Sequence, residues 1–306
     1  MTSLRSRLLD VQQRLEYALL RTLVGLVRLA PLEFAGSVSA RAWRILAPRL
    51  SPKRHRRAMD NLSIAFPEKS EAERREIALA HWANLGRVMV ETMQIDRLLA
   101  QPERIRVVSQ PLLDRYKDKL GAAVGVSLHM GNWELAIWPL TAAGSNPAGI
   151  YRTVKNPYVD QYLRDQRKDL FPGGMLGKGK VDGSWEQGQK TARFIMDFVR
   201  NGGRLGLVAD LFDKQGLAVP FFGTPAPSTM VPAMIARRVG ARIWLARCVR
   251  VGNASRFDIE VRELKVPRTR NQGEDIRSTT NEMQRVFEAW IREAPEQWMW
   301  SNRRWS

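Results

Sequence analysis

From residue 121 onward, short apolar runs alternate with stretches of helical period, and this alternation limits the possible folds more than any other feature of the chain. Residues 122–128 form an apolar run of strand length, and similar runs occupy 149–151, 205–209 and 243–246. Residues 256–264 alternate instead, with Phe257, Ile259 and Val261 on one face, as an edge or half-exposed strand would. Helical stretches separate the runs at about 133–143, 157–170, 186–200, 229–239 and 275–293. The expected class is α/β, a mixed central sheet flanked by helices.

Before residue 100 the pattern is helical. Ser70 and Glu73 predict a capping box opening a helix that runs to Ile95. Arg7, Arg14, Arg21 and Arg28 recur every seven residues and stay in one narrow stripe on a helix. Leu9, Leu19, Leu20, Leu23, Leu26 and Val27 lie roughly opposite. The pattern predicts a helix in a membrane interface, with guanidinium heads reaching phosphates; the plainer alternative is a helix packed on its own domain. Between Arg41 and Arg57 stand seven basic residues and no acidic one. No charge-free run of membrane-spanning length occurs.

Composition narrows the chemistry. With 49 Lys+Arg against 31 Asp+Glu the net charge is +18, which suits nucleic acid, an anionic membrane or acidic substrates and carriers. A single cysteine, Cys248, excludes an internal disulfide, and His55, His81 and His129 show no zinc-site spacing, so neither metal nor cofactor is expected.

The most informative segment is Ser127-Leu128-His129-Met130-Gly131-Asn132-Trp133-Glu134. His129 and Glu134 are about 140° apart on a helix and on opposite faces of a strand, so they meet only across a turn. Gly131 supplies the backbone freedom and Asn132 a helix N-cap. His129 then ends a strand and Glu134 begins a helix, where open α/β sheets place their ligands. A carboxylate on one imidazole nitrogen leaves the other as general base; the spacing alone favours an ordinary loop and cap, and the position after a buried strand shifts the balance toward a site.

Leu128 through Glu134 resembles the H-x4-D/E block of the lipid A late acyltransferases, within the lysophospholipid acyltransferase superfamily. Further blocks resemble that family in order: Asn61-Leu62 through Phe66-Pro67-Glu68; Tyr151-Arg152 with Asn156-Pro157 and Asp160; Gly202-Gly203 through Asp210; Val219 through Gly223; and Pro295-Glu296-Gln297-Trp298 through Trp305. The resemblance implies His129 as general base on an acceptor hydroxyl with Glu134 orienting it. It implies substrate-binding roles for Arg152, Arg167 and Asp210. The implied donor is an acyl-acyl-carrier-protein thioester and the acceptor a phosphorylated glycolipid, with anionic inner-leaflet lipids as partners and no nucleic acid. The implied place is the cytoplasmic face of the bacterial inner membrane. Residues 1–50 are then a membrane-associating helical segment and 51–306 the acyltransferase domain. Two departures stand out: Ser301-Asn302 precedes the terminal arginines where the family has a histidine, and Arg21 and Arg28 interrupt the usual membrane helix. Acylation of a lysophospholipid or another glycolipid is the alternative within enzymes. A non-catalytic basic membrane- or nucleic-acid-binding protein is the alternative outside them.

Lesser features are read as structural. Gly173, Gly174, Gly177 and Gly179 with Lys178 and Lys180 suggest a loop near the site without Walker spacing. Trp290, Trp298, Trp300 and Trp305 fit core packing or an interfacial belt. Met89 and Met93 read as core, and Cys248 as inert.

Overall fold

The structure is a computed structural model that describes residues 4–116, 121–178 and 185–305. Five helices come first: α1 (Leu4–Leu29), α2 (Leu32–Leu50), α3 (Pro52–Ala65), α4 (Glu71–Met93) and α5 (Ile95–Leu99). The alternating part follows with β1 (Ile105–Val107), α6 (Gln110–Tyr116), β2 (Ala123–Ser127), α7 (Trp138–Ala142), β3 (Ala148–Arg152), α8 (Pro157–Gln166), β4 (Met175–Lys178), α9 (Trp185–Arg200) and β5 (Arg204–Val208). Then come β6 (Phe212–Phe221), β7 (Thr224–Ser228), α10 (Val231–Val239), β8 (Arg242–Arg250), β9 (Phe257–Leu264) and α11 (Gln272–Glu293).

Seven strands form one sheet in the order β1-β9-β8-β2-β5-β3-β4. Every pairing is parallel except β8 with β9, so the sheet is mixed and mostly parallel, as expected. Helices cover it on two faces. Val126, Leu205 and Ile243 pack in one core with Ile235 and Phe287, while Trp244 and Ile259 pack in a second with Ile137 and Leu135. β6 and β7 make a separate antiparallel hairpin.

Three sequence expectations change. β9 has the expected alternation of buried positions but is not an edge strand, because β1 pairs with it from residue 105 to 107. Residues 175–178 of the glycine–lysine segment are the edge strand β4 rather than loop, since they find hydrogen-bond partners along β3; Gly179 and Lys180 lie outside the described residues. Met89 is 41 % exposed, on the outer side of α4. The four tryptophans are all buried core residues, and the Ser70–Glu73 capping box forms at the start of α4.

The α1 helix is inverted relative to a simple amphipathic packing. Arg28 forks onto Asp96 at 2.7 Å, and the guanidinium groups of Arg14 and Arg21 rest over the rings of Tyr158 and Tyr162 on α8. Arg14, Arg21 and Arg28 therefore engage the protein, because α5 and α8 offer a carboxylate and aromatic faces there, while Arg7 is exposed. The opposite face is left bare: Leu15, Leu19 and Leu26 are more than 60 % exposed, and Phe34, Val38, Ile45, Leu46 and Leu50 of α2 are exposed as well. Among the described residues no helix is long and apolar enough to cross a membrane.

Candidate active site

Strand register builds the site. β2 and β5 run parallel with Ser127 opposite Val208, and the amide of Ala209 still donates to the Ser127 carbonyl at 3.0 Å. Two residues beyond each strand, His129 and Asp210 therefore come side by side. The Asp210 carboxylate is wholly buried, with Oδ1 2.8 Å from His129 Nδ1. Its Oδ2 accepts from the His129 backbone amide at 2.8 Å and from the Trp298 indole at 2.6 Å. Burial would raise the Asp210 carboxyl, but the adjoining imidazole and these three hydrogen bonds outweigh it and hold the group below the ordinary aspartate range. An ionised carboxylate only accepts, so Nδ1 carries the imidazole proton and Nε2 is left as a base.

The loop that follows is bent as the motif requires. Gly131 has φ +56°, and a Cβ there would lie 1.9 Å from the Cys248 carbonyl oxygen. Only glycine fits this close approach. Its amide donates to the Gln297 carbonyl and the Met299 amide to the His129 carbonyl, both at 3.0 Å. Asn132 occupies the cap position of a 3-10 turn over Trp133–Ile137 but makes no side-chain cap. Its amide turns instead to Glu91 of α4 at 2.9 Å.

Glu134 stands in the first turn, as expected, yet its partner is not the imidazole. Its carboxylate takes both arms of Arg167, Nε at 2.8 Å and an end nitrogen at 2.6 Å. The planar guanidinium fork matches a carboxylate better than one imidazole nitrogen does. Burial alone would lower Arg167, but Glu134 more than compensates and raises it. The predicted His129–Glu134 contact is thus replaced by two pairs, His129–Asp210 and Glu134–Arg167. Asp210, expected to touch substrate, lies behind His129 instead.

His129, Glu134, Arg152 and Arg167 line one cavity of about 1330 Å³. Arg152 ends β3 and is exposed. Gly125 of β2 and Gly206 of β5, which pair in register, also line the cavity, and Gly149 of β3 adjoins Gly206. Ile137 and Phe171 stand above this glycine row, with a Cβ on Gly206 falling 3.0 and 3.1 Å from them. The result is a largely apolar cavity that His129 borders.

Residues 5–306 match the family profile of the bacterial lipid A biosynthesis acyltransferases. The chain belongs to that family. It is 25 % identical over 268 residues to the lipid A biosynthesis lauroyltransferase of Escherichia coli (strain K12), covering 85 % of this chain and 81 % of that protein. It is 29 % identical over 154 residues to the lipid A biosynthesis myristoyltransferase of the same organism, covering 49 % of this chain and 46 % of that one. The lipid A biosynthesis acyltransferase 1 of Shigella flexneri gives the same figures. The protein is therefore an acyltransferase of the lipid A biosynthesis type.

Behind this acyltransferase's loop lies a buried polar cluster that sequence reading missed. Glu91 receives both arms of Arg250, the Ser255 hydroxyl at 2.8 Å and the Asn132 amide. Arg250 also reaches Asn84, whose amide donates to the Gly131 carbonyl at 3.1 Å. The cluster joins α4 to the histidine loop and so fixes the loop's path. Its one sequence signal was a glutamate within the otherwise apolar stretch of α4. Cys248 is buried in β8, and burial pushes its thiol up, which makes it inert.

Proposed function

We propose that the protein transfers a fatty acyl chain from an acyl-carrier-protein thioester to a hydroxyl of a phosphorylated, acylated glucosamine disaccharide. The observation that carries this reading is His129 itself: its Nδ1 is tied to a buried carboxylate while the ring borders a largely apolar cavity. In a single displacement, the acceptor hydroxyl gives its proton to Nε2 as its oxygen attacks the thioester carbonyl carbon. The tetrahedral oxyanion then collapses, the C–S bond breaks, and the thiolate takes the proton back from the imidazolium. Asp210 stabilises the imidazolium, and no acyl-enzyme is needed. Arg167, already forked onto Glu134, shapes the wall beside the base, while the exposed Arg152 suits a phosphate.

The bare leucine face of α1 and α2 fits insertion into the cytoplasmic leaflet of the inner membrane. Arg41, Arg49, Lys53, Arg54, Arg56 and Arg57 beside it are exposed and fit anionic headgroups. Residues 1–50 are on this reading the membrane-contacting segment and 51–306 the acyl-transfer unit.

Purified protein given acyl-carrier-protein donors and lipid A precursor should yield acylated precursor and free carrier by mass spectrometry. His129→Ala should abolish the product. Full activity in that variant would sink the mechanism, and preference for a lysophospholipid acceptor would sink the substrate class.

A further inference from the structure

Asp210 has two carboxylate oxygens with unequal surroundings. Oδ1 meets the imidazole, whereas Oδ2 takes two donors, the His129 amide and the Trp298 indole. We infer that Trp298 is a positioning residue of the acyl-transfer reaction, acting through Asp210: its N–H holds Oδ2 so that Oδ1 alone faces the imidazole. This inference rests on the role of His129 proposed above.

Four observations carry it. The contact, at 2.6 Å, joins a neutral donor to an ionised acceptor, the stronger kind of hydrogen bond. The indole has no room to turn, being wholly buried with Trp300 edge-on at 4.6 Å and Phe221 at 5.9 Å. Its main chain is tied to the histidine loop, since Met130 bridges to Trp298 and the flanking Gln297 and Met299 bond Gly131 and His129. Finally, the neighbouring charge makes no hydrogen bond to Asp210. Besides His129, the charged group facing Asp210 is Arg304, whose end nitrogens bond Pro227, Ser228 and Gln284. Without the indole donor, the carboxylate gains rotational freedom and keeps more negative charge toward the imidazole. The imidazolium is then favoured, and the base is lost to protonation at higher pH.

The test replaces Trp298 by β-(3-benzothienyl)alanine, which carries sulfur in place of the N–H within the same bicyclic shape. Trp298→Phe serves as the genetically simple variant. For the isostere kcat should fall about 10- to 100-fold, the range one charge-assisted hydrogen bond covers. KM should stay unchanged, and the acid limb of the kcat/KM profile should move to higher pH. A wild-type kcat and profile in the isostere would overturn the inference. So would lost activity with an unmoved profile and a lowered Tm, which mark a purely structural tryptophan. His129→Ala, run alongside, should be inactive; activity there would overturn the role of His129 itself, and the inference with it.

Discussion

His129 and Asp210 are joined twice, imidazole to Oδ1 and backbone amide to Oδ2, both at 2.8 Å. The double tie fixes the ring's tautomer and the carboxylate's direction together. Asp210→Asn should therefore lower kcat by about 10³–10⁴-fold, because the new amide can donate to Nδ1 and trap the wrong tautomer. Glu134→Gln should act differently. It removes the charge opposite Arg167 and leaves Nδ1 alone, so its loss should be non-additive with Arg167→Met in a double-mutant cycle and additive with Asp210→Asn. Steady-state kinetics on the three single variants and two doubles separate the pairs.

The glycine row predicts chain-length control. A side chain on Gly206 would have to grow toward Ile137 and Phe171, where even a Cβ is crowded at 3.0 Å. Gly206→Val should shorten the preferred donor acyl chain while sparing transfer of short chains. Competition assays with donors of graded length, read by product mass, would show it; an unchanged preference would place the acyl chain elsewhere.

His81 predicts how the protein meets acid. It is wholly buried, and desolvation drives its pKa from 6.5 down to about 3. Between these values the unfolded chain binds a proton that the folded one does not, so stability falls as pH drops below 6.5. The slope is about 1.4 kcal/mol per pH unit. Urea unfolding of His81→Leu should show a shallower decline from pH 6.5 to 4.5 than the parent.

The leucine face predicts lipid binding that mutation can remove without unfolding. Leu19 and Leu23 are 72 % and 49 % exposed, so Leu19→Glu and Leu23→Glu should leave Tm within about a degree, as surface changes do. Each should weaken binding to vesicles of anionic phospholipid several-fold, by losing apolar insertion and adding repulsion. Vesicle co-sedimentation measures it, and unaltered binding would leave that face without a lipid role.

Much of this architecture was legible because it is periodic. Short apolar runs become strands when helices flank them, and an apolar run followed by His129 and Gly131 announces a strand end and a tight turn. The partner of His129 was not legible. Asp210 lies 81 positions away, and only the pairing of Ser127 with Val208 reveals that the two strands end together. Glu134, five residues from His129, was the nearer choice, but Arg167 outcompetes the imidazole for it. Helical periodicity likewise showed two faces on α1 without saying which one looks inward. Tyr158, Tyr162 and Asp96 decide that, and they belong to helices far along the chain.

The strap from Gln297 to Met299 gives the site an order of assembly. Strand β2 and its histidine leave the ribosome early, and Asp210 much later. The carboxylate stays short of one donor, and the loop carbonyls and amides stay unpaired, until residues 297–299 arrive. A chain truncated before Trp298 would keep His129 and Asp210 but lose the indole donor and the loop's ties to residues 297–299. The pairing of His129 with Asp210 is thus closed by a segment 88 positions beyond Asp210, so that the two strand ends hold their geometry only once that distant strap has docked.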